Sequence, residues 1–112
     1  MNILFDLSGT VFGCMDRSLR PGIVETIKAL RERGFEVDFW TNGPIELYEE
    51  LINATGLEGH VYSKLKELPF KPDICVDDDP EDWMPGRVVK VSTYVSGHLP
   101  VPELSHEIVA CV

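Results

Sequence analysis

Ile3-Leu4-Phe5-Asp6-Leu7-Ser8-Gly9-Thr10 is the stretch from which the fold can be read. The apolar run is short and suits a strand covered on both faces, as parallel sheets require. Asp6 ends the run, and Gly9 and Thr10 follow it in a turn. A carboxylate at the end of an apolar strand, just before a turn, presents a nucleophile at the edge of a sheet.

Beyond an irregular segment to Arg20, Pro21 and Gly22 open a helix, where proline in the first turn loses no hydrogen bond. Ile23, Ile27 and Leu30, with Val24 beside them, form its apolar stripe, and Gly34 stops it. Phe35 to Trp40 reads as a second strand running into Thr41-Asn42-Gly43. Pro44 begins a second helix, with Ile45, Leu47, Tyr48, Leu51 and Ile52 apolar and Gly56 past its end. His60-Val61-Tyr62 is a third, short strand, and Ser63 to Leu68 a short helix or turn closed by Pro69. Ile74-Cys75-Val76 is a further strand leading into Asp77-Asp78-Asp79-Pro80. Val88 to Val91 reads as the last strand and Glu103 to Ala110 as a terminal helix.

Strands alternating with helices imply parallel βαβ units, hence a three-layer α/β Rossmannoid domain with a mostly parallel sheet and helices on both faces. Ligands of such sheets bind at the carboxyl ends of the strands. Three strands here end in Asp6, in Thr41-Asn42 and in Asp77-Asp78, so three polar clusters are expected on one edge. Carboxylates drawn together repel unless a cation lies between them, and a hard oxygen site suits Mg²⁺. A carboxylate is also a competent nucleophile for phosphoryl transfer through an aspartyl-phosphate. Thr41 and the amides after it, at a helix start, are suited to phosphate oxygens.

Composition bounds the remaining classes. A chain of 112 residues accommodates one small domain. The net charge of −9 disfavours a nucleic-acid surface, which needs neutralising cations. No run approaches the ~18 apolar residues that span a bilayer. Asp6 interrupts the N-terminal apolar stretch too early for a signal peptide, so a cytoplasmic location is the expectation. Cys14, Cys75 and Cys111 lack the spacing of a zinc site or a disulfide framework. His60, His98 and His106 form no metal-binding pattern. Trp40 and Trp83 read as packing residues rather than substrate platforms.

These motifs together resemble the haloacid dehalogenase-like (HAD) superfamily of phosphatases and phosphotransferases. The stretch from Ile3 to Thr10 is similar to its nucleophile motif, DxDGT after an apolar strand. Phe39-Trp40-Thr41-Asn42-Gly43 is similar to its second motif, and Ile74-Cys75-Val76-Asp77-Asp78 to the paired acids of its fourth. Arg20-Pro21-Gly22 before the first helix resembles many members. The likeness runs from Met1 to about Pro80, in order.

The resemblance implies Asp6 as nucleophile, and Mg²⁺ held by Asp6, the Ser8 backbone carbonyl, Asp77 and Asp78. It implies Thr41, with Asn42, Gly9 and Thr10, at the phosphoryl group. The family's lysine is Lys64 by this reading, with Lys66 close behind as the alternative and Lys71 of lesser reach. The segments 11–20 and 44–59 are too short for a cap domain, which implies an open site. A bulky phosphorylated substrate or a partner subunit closing that site would fit, and an oligomer is compatible with it.

Ser8 departs from the pattern. Family phosphatases carry there an aspartate that acts as general acid and then general base. A serine hydroxyl is too weak an acid for that work, and losing such catalysis costs roughly 10²–10⁴-fold. P-type ATPases, with threonine at this place, still form the aspartyl intermediate. Two functions are therefore carried forward: a capless phosphohydrolase or phosphotransferase acting through Asp6, and a weakly active or inactive domain that binds phosphate or a partner.

Overall fold

The computed structural model describes residues 1–14 and 16–95. The expected terminal helix, His98, His106 and Cys111 lie outside them.

The order of elements is β1 (Asn2–Asp6), α1 (Ile23–Glu32), β2 (Glu36–Thr41), α2 (Ile45–Thr55), β3 (Val61–Ser63), β4 (Ile74–Asp77) and β5 (Arg87–Lys90). All five strands are parallel, in the spatial order β3-β2-β1-β4-β5. This arrangement is compatible with a Rossmann-like fold. The chain steps outward from β1 through β2 to β3, then returns to the other side of β1 for β4 and β5. The direction of winding thus reverses between β1 and β4. A crevice opens at the carboxyl ends of strands at such a reversal.

Register makes the site. Phe5 pairs with Val76, so Asp6 and Asp77, one residue further along each strand, are level across the β1–β4 seam. On the other side Asp6 pairs with Trp40, which sets Thr41 one step beyond it. The strand interiors Ile3, Leu4, Phe5, Cys75 and Val76 are fully buried. Burial on both faces explains why these runs are continuously apolar rather than alternating.

The two faces are covered differently. Ile3, Phe5, Val37, Phe39 and Val76 pack against Ile23, Ile27 and Leu30 of α1 and Tyr48 and Ile52 of α2, so both helices share one face. Leu4, Trp40 and Cys75 point the other way, onto Met84, Tyr62, Leu68 and Phe70. Helices were expected on both faces. Among the described residues the second face is closed by loop side chains instead, because the connections 64–73 and 78–86 turn back without forming a helix. No further domain interrupts the connections after β1 and β2.

Two helix starts also differ from expectation. Gly22 caps α1 in a left-handed conformation, φ +84°, and Pro44 caps α2 in an extended one, so both prolines lie outside the helices. A left-handed residue cannot continue a right-handed helix, which fixes the start of α1 at Ile23. No helix among the described residues is long and apolar enough to cross a membrane.

Candidate functional site

The three strand ends converge. Lys64, directly after β3, places its ammonium 2.8 Å from Asp6 Oδ1 and 2.9 Å from Asp77 Oδ2. Its backbone N–H is held by the Thr41 carbonyl at 2.9 Å, which ties the lysine to the end of β2. Its side chain reaches inward past the Trp40 ring, 5.6 Å from the centroid. Lys64 is thus the lysine that meets the carboxylates. Lys66 and Lys71 line a neighbouring depression.

Asp6, Asp77 and Asp78 each offer a carboxylate oxygen within 4.8 Å of the others, an arrangement that can hold a metal ion. Asp77 is fixed through Oδ1 by the Asp79 backbone N–H at 2.9 Å. Asp78 accepts hydrogen bonds from the hydroxyls of Thr10 at 3.2 Å and Thr93 at 2.9 Å. The Thr10 hydroxyl also lies 3.3 Å from Asp6 Oδ2 and accepts the Asp78 backbone N–H at 3.1 Å. One buried hydroxyl therefore spaces two of the three carboxylates.

Charge within the cluster does not balance. Three carboxylates face one ammonium. Burial, joined by the hydrogen bond shared with Asp78, pushes the Asp6 carboxyl up to about 7 in spite of Lys64. Burial also works to raise Asp78, but its hydrogen bonds with Asp6, Thr93 and Thr10 outweigh that and hold it below its usual range. For Lys64, burial opposes the charged form, yet the contacts with Asp6 and Asp77 prevail and raise its pKa. The cluster lacks a positive charge, and without a cation it retains a proton on Asp6. A divalent ion with a hard oxygen shell fits that deficit and this donor set.

The cluster lines a cleft of about 470 Å³ together with Ser8, Cys14, Thr41, Asn42, Gly43, Tyr48, Asp79 and Glu81. Thr41 Oγ1 accepts the Gly43 N–H at 3.0 Å, so the turn into α2 orients the hydroxyl. Ser8, two residues after Asp6, is exposed and lines the same cleft.

Gly9 and Thr10 are drawn into the site but not to its surface. Both are buried, and the Gly9 N–H donates to the Phe12 carbonyl while the Thr10 N–H donates to Leu7. Those amides are occupied by the turn itself, so the two residues position the carboxylates and do not face the cleft as expected of phosphate ligands.

Sequence reasoning quoted Arg20 only as part of Arg20-Pro21-Gly22 and gave no site role to Arg20, Thr93 or Glu81. Buried Arg20 donates to the Ser92 carbonyl at 2.8 Å and Ser92 Oγ at 3.0 Å, with the Gly9 and Thr10 carbonyls at 3.4 and 3.5 Å. It clamps the Asp6 turn to the segment after β5. A cation immediately before a Pro-Gly pair was the available signal. Thr93 carried none, since it follows the last strand without a motif.

No family model matches the chain, and neither a curated protein nor a solved structure matches it.

Proposed function

We propose that the chain is a Mg²⁺-dependent phosphohydrolase or phosphotransferase, a HAD-like domain without a cap, working through a phosphorylated Asp6. The observation that carries this reading is Lys64 bridging Asp6 and Asp77 at 2.8 and 2.9 Å while Asp78 completes an acidic trio. A trio of carboxylates beside a lysine and a threonine hydroxyl at one sheet edge matches the needs of a transferring phosphoryl group.

Mg²⁺ bound among Asp6, Asp77, Asp78 and the Ser8 carbonyl would offset the charge of the phosphoryl oxygens. An Asp6 carboxylate oxygen forms the new bond to phosphorus as the bond to the leaving oxygen breaks, and the leaving oxygen takes its proton from water. Water then cleaves the acyl phosphate, returning free Asp6 and phosphate. Lys64 holds Asp6 in place and favours its ionised form, which the bound cation would complete, and Thr41 with Asn42 contacts the phosphoryl oxygens. Ser8 contributes no general acid, so this scheme favours an acidic leaving group.

Hydrolysis of an activated aryl phosphate with Mg²⁺ tests the reading in three chains: native, Asp6→Asn and Ser8→Asp. Native activity that is lost in Asp6→Asn is expected. Activity only in Ser8→Asp would favour the second reading, a phosphate- or partner-binding domain with little turnover, for which Ser8 is the specific observation.

A further inference from the structure

Beside the acidic cleft lies a second depression, of about 470 Å³, with the opposite chemistry. Trp40, Phe70 and Trp83 line it with Lys64, Lys66 and Lys71. Both tryptophans of the chain and three of its five lysines therefore meet in one place. Glu67 is the one acid on its wall, in a protein of net charge −9. Lys66 and Lys71 are exposed and have no ion-pair partner among the described residues.

The aromatic residues are arranged in an unusual way for simple packing. Trp40 is 1% exposed, and its indole N–H has no hydrogen-bond partner among the described residues. Buried polar groups are nearly always satisfied, so this donor is an exception. Trp83 stands edge-on to Trp40, centroids 5.6 Å apart, yet is 50% exposed. Its own N–H is anchored by Glu81, which lines the acidic cleft. Covering Leu4 and Cys75 accounts for Trp40. It does not account for a half-exposed Trp83 in a groove that Lys66 and Lys71 also line.

We propose that this groove binds a planar aromatic anion, of which a nucleoside monophosphate is the representative biological form. The ring stacks on the half-exposed Trp83, which Trp40 backs, since aromatic planes stack on any base. The anionic group is received by Lys66 and Lys71, neither of which forms an ion pair among the described residues. Binding here requires neither a metal nor turnover at Asp6, so it stands or falls separately from the phosphoryl reading.

The two indole N–H signals of a ¹H–¹⁵N spectrum report the groove directly. Titration with adenosine monophosphate is expected to move both in a saturable way. Inorganic phosphate at equal concentration should move neither, and adenosine should bind at least tenfold more weakly. The double variant Lys66→Glu/Lys71→Glu should lose at least tenfold in affinity with an unchanged melting temperature. Trp83→Ala should also bind at least tenfold more weakly, read on the remaining indole signal. Indole signals unmoved by the nucleotide, movement by phosphate alone, adenosine binding as tightly as the nucleotide, or undiminished affinity in the charge-reversed chain or in Trp83→Ala would each overturn the proposal.

Discussion

A Cβ on Gly9 would lie 2.5 Å from Oδ2 of Asp78, closer than a real Cβ is found to any such atom. The glycine is therefore required twice, by its left-handed backbone at φ +86° and by the carboxylate pressed against it. This close approach brings the turn after β1 against the end of β4.

Gly9→Ala is expected to destabilise the protein by about 1–3 kcal/mol through backbone strain, and by more if Asp78 cannot move. Gly22→Ala is the control, because φ there is +84° but nothing lies within 4 Å of the added carbon. It should cost only about 1–2 kcal/mol. Thermal melts with and without Mg²⁺ separate the two: only Gly9→Ala should also diminish the stabilisation by metal.

The Asp6 carboxyl gives a second expectation. In the metal-free fold it keeps its proton to about pH 7, whereas its ordinary value is 3.8. Between those values the folded state binds more protons than the unfolded chain, so stability falls as pH rises through that window. Asp6→Asn removes this titration. The melting temperature of the variant relative to the native chain should therefore be higher at about pH 8 than at about pH 5. A constant difference would mean that Asp6 is ionised throughout.

The same proton should be displaced by metal. At about pH 6 Mg²⁺ binding is expected to release about one proton per ion, since ligating carboxylates must be ionised. Calorimetry in two buffers of different ionisation enthalpy measures this release. Asp6→Asn should abolish it.

Lys64 supplies the sole positive charge within hydrogen-bonding distance of Asp6 and Asp77 among the described residues. Lys64→Met keeps the length of the side chain and leaves the buried carboxylates uncompensated, at a cost of about 3–5 kcal/mol. Mg²⁺ should restore most of that loss, because a cation in the trio replaces the missing charge. Thermal denaturation across a Mg²⁺ titration checks both parts.

Much of this was legible in the chain, and the reasons are local. Ile3 to Phe5 and Ile74 to Val76 read as strands because both faces of each are buried, and Gly34 and Gly56 marked the helix ends. Asp6, Thr41 and Asp77 were legible because each ends a strand, and parallel strands bring such positions to one edge, whereas Lys64 was singled out only through the family resemblance. The lack of a helix on the second face among the described residues was not legible, since nothing in residues 64–73 or 78–86 distinguishes a helix-free loop from a short helix before packing is known. The inward turn of Thr10 and the clamp by Arg20 depend on contacts with Asp78 and Ser92, 68 and 72 residues away in sequence. No local pattern carries such pairings.

The central claim is that Asp6 becomes phosphorylated. Borohydride reduces an aspartyl-phosphate and leaves a stable mark on the residue, which mass spectrometry of the peptide containing Asp6 can locate. Under this proposal Ser8 supplies no general base and breakdown of the intermediate would be slow, so the mark should accumulate in the native chain. It should require both the aryl phosphate and Mg²⁺, fall in Ser8→Asp and be absent in Asp6→Asn. Hydrolysis that proceeds with Asp6 unmarked, or a mark on another carboxylate, would contradict the assignment.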